Sequence, residues 1–301
     1  MFVPFISVPS NKRSRKLYRR KGGGGGGRGG GGGGKGGGSS GGGGAGTSRP
    51  ASVNAGGTTK QATSYGSGGG RPTTIPAGQP FAGRESGGGT RNQVYGTQQY
   101  GSGYPGIAGR GVAGRGFPFV FWPIAWGGIG GVGAAAYLHN SEYGRPSNST
   151  RPGGPMATAT FFSNAGNTTY RLISDNTTVA ALIPDLSAAC SSNLNSSSST
   201  APSPYNDSFS ALPQPEQTVQ YYRGSTVALT LDGYNNTAAL SSDDKTPDVP
   251  LPSNIDRNLL SCLNQTIGAA VPLVDGVPSL SAPNFGIIGM LWILWTLASF
   301  F

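Results

Sequence analysis

Regular alternation of apolar and polar positions sets in near Met156. ATATFFS (Ala157 to Ser163) and TTYRLIS (Thr168 to Ser174) are β-branched and aromatic runs separated by NAGN, which predicts a hairpin. Behind them Val179, Leu182, Ile183, Leu186 and Cys190 recur at helical spacing, with Pro184 expected to kink or shorten the helix. The same order returns downstream. TVQYYR (Thr218 to Arg223) and TVALTLDG (Thr226 to Gly233) flank Gly224 and Ser225. After a Pro- and Asp-rich loop, a capping-box pattern from Ser253 to Asp256 opens a second helix with the stripe Ile255, Leu259, Cys262 and Leu263. The expected fold class is a mostly disordered chain with one small α+β domain over 156–276: two strand-strand-helix units on one antiparallel sheet. A disordered excursion rich in Ser, Pro and Asn is expected between the units at 191–215.

Two stretches are apolar without alternation. Phe117 to Leu138 has no charged residue and about the length a membrane helix needs. Arg110 and Arg115 precede it, Trp122, Trp126 and Tyr137 suit headgroup positions, and Gly127 and Gly131 have the GxxxG spacing. Against a span stand Pro118, Pro123 and the glycines, which make a poor helix and suit an apolar connector. Both readings stand at this point, with 139–155 as a polar linker behind the stretch. The second stretch, Phe285 to Phe301, is uncharged and follows the spacer VPSLSAPN. With 277–301 as spacer and hydrophobic tail, this order resembles a lipid-anchor signal, with Asp275, Gly276, Ser279 or Ser281 as attachment candidates and a plain C-terminal span as the rival.

Composition limits how much can fold. Of 301 residues 54 are Gly and 23 Pro, and only 35% are apolar, too few for two full domains. Charge is unevenly placed. Residues 1–116 carry 16 Lys and Arg against Glu85 alone, a net of +15; the rest carries 6 basic residues against 11 acids, a net of −5. Such blocks mark interaction tails, so 1–116 reads as a disordered, basic, Gly-rich arm. Its densest part is Lys12, Arg13, Arg15, Lys16, Arg19, Arg20 and Lys21, a patch for phosphate or anionic surfaces. No aromatic residue lies in the glycine tract behind it; Tyr65, Tyr95, Tyr100 and Tyr104 come later, in a composition typical of adhesive disordered segments. The N-terminal run MFVPFISVPS lacks a preceding basic region, so export is expected either from a leader missing here or from the apolar stretch acting as signal anchor.

Candidate chemistry is post-translational. Seven Asn-x-Ser/Thr sequons occur, at Asn148, Asn167, Asn176, Asn195, Asn206, Asn235 and Asn264, all behind the first apolar stretch. Cys190 and Cys262 are the only cysteines and, in a lumenal half, pair with each other. No catalytic, cofactor or metal set emerges. GGSSG (Gly37 to Gly41) has no strand or helix around it, and GIGGVG (Gly128 to Gly133) lacks a following acid for a ribose. His139 is the only histidine, and Asp243, Asp244 and Asp248 lack an EF-hand's spacing.

GRGFPFVFWPIAWGG, AAYLHNSEYG, RPGGPM, PQPEQTVQYYR, LTLDGYNNTAAL and LNQTIGAAVPLVDG together resemble an uncharacterised basidiomycete fungal family of secreted or cell-surface proteins, over about residues 75–277. The resemblance implies export of the whole chain, which favours the connector over a stop-transfer span. It brings no activity and no functional residues. The expectation is therefore a non-enzymatic, glycosylated surface or wall-associated protein that reaches the membrane or cell surface through the secretory pathway. Its expected partners are the membrane, anionic wall polymers or lipid headgroups, with no small-molecule substrate. The alternative is nucleic-acid association through the basic arm.

Overall fold

Residues 50–55, 58–104, 109–127, 134–208 and 210–274 are described by the computed structural model. Their strands are β1 (Pro50–Ala55), β2 (Thr58–Thr63), β3 (Thr73–Thr74), β4 (Glu85–Ser86), β5 (Met156–Phe162), β6 (Thr169–Asp175), β7 (Ser203–Pro204), β8 (Thr218–Tyr222), β9 (Val227–Leu231) and β10 (Leu273–Val274). The helices are α1 (Asn176–Ala189) and α2 (Arg257–Ala270).

Both expected hairpins form and share one antiparallel sheet in the order β7-β5-β6-β9-β8. The two units meet where β6 pairs with β9, from Tyr170 opposite Leu231 to Ile173 opposite Ala228. Side chains alternate across the pleat. Ala157, Ala159, Phe161, Tyr170, Leu172 and Leu229 join the core under α1 and α2. Met156, Ile173, Tyr221 and Ala228 join a second apolar cluster. The sheet is thus covered on both sides, which explains why every residue of β9 is buried.

The helices begin at aspartates. Asp175 caps α1 by accepting from the Thr178 amide, and Asp256 caps α2 by accepting from the Asn258 and Leu259 amides. The predicted start at Ser253 is corrected by three residues, because Asp256 itself meets the free N–H groups. Pro184 does not shorten α1, which runs through it. Pro184 and Ala180, whose carbonyl loses its partner, are both on the exposed side, where water can serve it.

Where it is described, the apolar stretch is packed as core. From 117 to 127 the chain makes no helix, and Phe117, Phe119, Val120, Phe121, Trp122, Ile124, Ala125 and Trp126 are buried. Phe119, Val120 and Phe121 enter the helix-side core; Phe117, Trp122, Ile124, Ala125 and Trp126 build the second cluster with Phe81, Tyr100 and Tyr104. An uncharged run is what a chain buried on all sides requires. Its backbone is held by Phe117 N to Glu85 O (2.6 Å), Ile124 N to Ser225 O (3.0 Å) and Trp126 N to Leu138 O (3.1 Å). Gly89 lets it pass: a Cβ there would come within 1.9 Å of the Pro118 oxygen. No helix among the described residues is long and apolar enough to cross a membrane. Gly131 and the GIGGVG run lie outside the described residues.

The folded part therefore reaches back beyond 156 to Pro50. In the segment expected to be a disordered arm, Tyr100 and Tyr104 are buried, and β2 pairs with both β1 and β10. The expected linker 139–155 is packed as well, with Tyr143 and Arg151 buried. The excursion at 191–215 is also ordered where described. It lies along the edge of β5: β7 pairs with it, the Asn195 and Ser199 amides donate to the Phe162 and Thr160 carbonyls, and the Ser199 and Ser198 hydroxyls accept from the Thr160 and Phe162 amides. Serine-rich sequence here satisfies a sheet edge that would otherwise be open. The described residues all belong to one compact unit.

Candidate functional site

The two cysteines meet. Cys190 closes the end of α1, Cys262 lies on α2, and their sulfurs are bonded with Cα atoms 5.8 Å apart. Sequence periodicity places both on helices, and the bond clips these together behind the sheet. The chain-entropy account assigns such a bridge, closing 72 residues, about 4 kcal/mol.

None of the seven sequon asparagines is buried. Asn167, Asn176, Asn195, Asn206 and Asn235 are exposed, and Asn148 and Asn264 are half-buried. Three sit in turns of one kind. Asn148 Oδ1 accepts from the Thr150 amide (2.9 Å), Asn195 Oδ1 from Ser197 (2.9 Å) and Asn206 Oδ1 from Ser208 (3.0 Å). In each the side-chain oxygen closes the turn, and the amide nitrogen, where a sugar attaches, takes no part in it. Asn264 differs, because its Oδ1 accepts from the Tyr222 hydroxyl at 2.7 Å.

Groups that could carry catalysis are otherwise engaged. His139 Nδ1 bonds to the Trp126 carbonyl, and its Nε2 is buried without a partner, so no hydroxyl or thiol stands where a nucleophile would. Asp243 caps the Lys245 amide, Asp244 accepts from the Arg110 amide, and Asp248 accepts from Asn236 Nδ2. No metal-holding group of three or more acids, cysteines or histidines occurs among the described residues. Tyr100, Tyr104 and Tyr222 are fully enclosed, and burial pushes their hydroxyls well above the ordinary tyrosine pKa.

Among the described residues the most enclosed charge is Arg223, which is 0% exposed. Nε donates to Thr226 Oγ1 (2.7 Å), Nη1 to the Pro272 carbonyl (2.8 Å) and Nη2 to Asp175 Oδ2 (3.2 Å). Burial lowers its pKa to about 9 while Asp175 acts to raise it, so the side chain stays charged at neutral pH. With its donors occupied it has nothing left for a substrate. The arrangement was not anticipated from the sequence. Its signals were an arginine in a hairpin turn, YYRGST, and an aspartate directly before a helical run, SDNTT.

Part of the basic segment's charge is also internal. Arg91 Nη1 donates to the Gly268 (3.3 Å) and Val271 (2.8 Å) carbonyls at the end of α2, where a cation is favoured. Arg110 Nη1 donates to the Ser241 carbonyl (2.9 Å), and Arg84 pairs with Glu142. Of the 16 basic residues in 1–116, 10 lie in 1–49, outside the described residues. Lys12, Arg13, Arg15, Lys16, Arg19, Arg20 and Lys21 are among them, and the anchor candidates Asp275, Gly276, Ser279 and Ser281 lie outside at the other end.

Comparison with protein-family models, with curated proteins and with solved structures returns no match. A functional reading therefore has to stand on the chain's own chemistry.

Proposed function

We propose that this is a non-enzymatic, glycosylated cell-surface or wall-associated protein, exported through the secretory pathway, with an adhesive or structural role. One observation carries the reading: a single folded unit combines a Cys190–Cys262 bridge with seven sequon asparagines of which none is buried. Disulfides persist where thiols are not kept reduced, and N-linked sugars need surface positions. The basic patch Lys12 to Lys21 would then meet anionic wall polymers or lipid headgroups, and the uncharged run Phe285 to Phe301 would direct membrane attachment.

The alternative is nucleic-acid association through the same basic patch, favoured by seven basic residues within Lys12 to Lys21. Fractionation of cells producing the tagged full chain, with and without N-glycosidase, separates the two. The surface reading expects a membrane or wall fraction whose apparent mass falls on treatment. A nuclear pool of unchanged mass would overturn it and favour the alternative.

A further inference from the structure

A groove of about 470 Å³ opens between β1, the turn leading into β4 and the residues just before β5. Ser52 and Asn54 of β1, Gln79, Ser149, Thr150 and Trp122 line it. Except for the buried Trp122, these side chains are exposed, and all of them are uncharged. No carboxylate is among its lining residues.

The one charged lining residue, Arg151, is 5% exposed. Its Nη1 donates to the Tyr143 carbonyl and Nη2 to the Pro123 carbonyl, each at 2.6 Å, so its charge is met by backbone oxygens. Burial lowers its pKa to about 10. Nε is left without a partner. The groove thus presents hydroxyls, amides and bare backbone, with no carboxylate among its lining residues and its one arginine bound to backbone oxygens. That chemistry fits a neutral ligand bearing many hydroxyls.

The rim carries a second sign. Thr150 belongs to the Asn148 sequon and Thr177 to the Asn176 sequon, and both threonines line the groove. Thr150 Oγ1 donates to Asn148 Oδ1 (2.8 Å), and Thr177 Oγ1 donates to the Gly153 carbonyl (2.9 Å). Gly153 and Gly154 form the wall between the two sequons. A Cβ on Gly153 would come within 1.9 Å of the Asp175 carboxylate, so the wall stays bare backbone.

We propose that this groove binds a neutral saccharide, supplied either by the chain's own N-linked sugar at Asn148 or Asn176 or by a neutral polysaccharide of the surroundings. The proposal rests on the surface reading above. Bare backbone, hydroxyls and amides exchange hydrogen bonds with sugar hydroxyls.

The test uses full-length protein from eukaryotic cells. In one arm, the folded protein is digested with N-glycosidase and release at each sequon is followed by mass spectrometry. An own-sugar ligand predicts slower release at Asn148 or Asn176 than at the exposed turns of Asn195 and Asn206, with the difference abolished in N54A/Q79A. In the other arm, deglycosylated protein is titrated with laminarihexaose, chitohexaose and mannohexaose, with hexagalacturonate as the charged control. An external ligand predicts binding of at least one neutral hexamer, weakened about fivefold for each hydrogen bond that N54A/Q79A removes. Asn54 and Gln79 are exposed, so the variant is expected to keep the wild-type melting temperature; S52A/Q79A is the second variant if it does not. Equal release at all sequons together with no binding of the neutral hexamers overturns the proposal, as does binding of hexagalacturonate alone. Absence of sugar from every sequon sinks the surface reading, and the titration then decides the groove by itself.

Discussion

The guanidinium carbon of Arg223 lies 3.3 Å from the centroid of the Phe121 ring. A buried cation over an aromatic face is stabilised by the ring quadrupole, and here it joins the turn between β8 and β9 to the apolar stretch. Asp175 at the start of α1 and Pro272 ahead of β10 meet the same guanidinium. Replacing Arg223 by Met leaves Asp175, itself buried, without its cation, and is expected to cost about 3–5 kcal/mol. Urea denaturation measures this. The double variant R223M/D175N should cost less than the two single variants added, because the uncompensated charge is gone. A cost for R223M under about 1 kcal/mol, as for an exposed pair, would contradict the assignment.

Removing the bridge with C190S/C262S is expected to lower stability by about 4 kcal/mol, since the unfolded chain regains its full freedom. The denaturant midpoint of the variant should match that of the reduced wild type. A midpoint equal to that of the oxidised wild type would mean that the bond does not close.

The stretch from Phe117 to Trp126 is core. Phe121→Ala and Phe119→Ala, both in the helix-side cluster, should each cost about 3–5 kcal/mol. Indole emission from Trp122 and Trp126, both buried, should be blue-shifted in aqueous buffer and move to the red on unfolding. Emission that shifts only on addition of detergent or vesicles would instead point to a lipid-facing stretch.

Asp256 gives a sign for acid. Burial acts to raise its pKa, but the Ser163 hydroxyl and the Leu259 and Asn258 amides bond to the carboxylate and outweigh it, leaving the pKa below the ordinary aspartate value. A lowered folded pKa contributes stability that is fully present above the unfolded value, about 4, and is lost as pH falls through the folded value. The gap in melting temperature between wild type and D256N should therefore be constant near neutral pH and narrow below about pH 4. A gap unchanged at low pH would contradict this.

The hairpins, both helices and the bridge were legible because each follows local rules: β-branched alternation, helical spacing, and two cysteines with no other partner. What was not legible depends on contacts distant in sequence. Nothing local to FPFVFWPIAWG says that it packs into both apolar clusters flanking a sheet whose strands lie between Met156 and Leu231. Tyr100 and Tyr104 look adhesive among Gly and Ser, yet Tyr100 donates to the Ile124 carbonyl at 2.7 Å within the core. Arg223 illustrates the same limit: a turn arginine reads as solvent-facing until Phe121, Asp175 and Pro272 are brought to it. For the sequons, position in the sequence gave the residues, and the fold adds that none of them is buried.

The direct test of maturation outside the cytosol is the intact mass of protein from healthy cells after alkylation, taken with and without prior reduction and with and without N-glycosidase. The account predicts that Cys190 and Cys262 accept alkyl groups only after reduction, and that the glycosidase lowers the mass by at least one N-glycan. Both thiols alkylating without reduction, on material whose mass the glycosidase leaves unchanged, would contradict it.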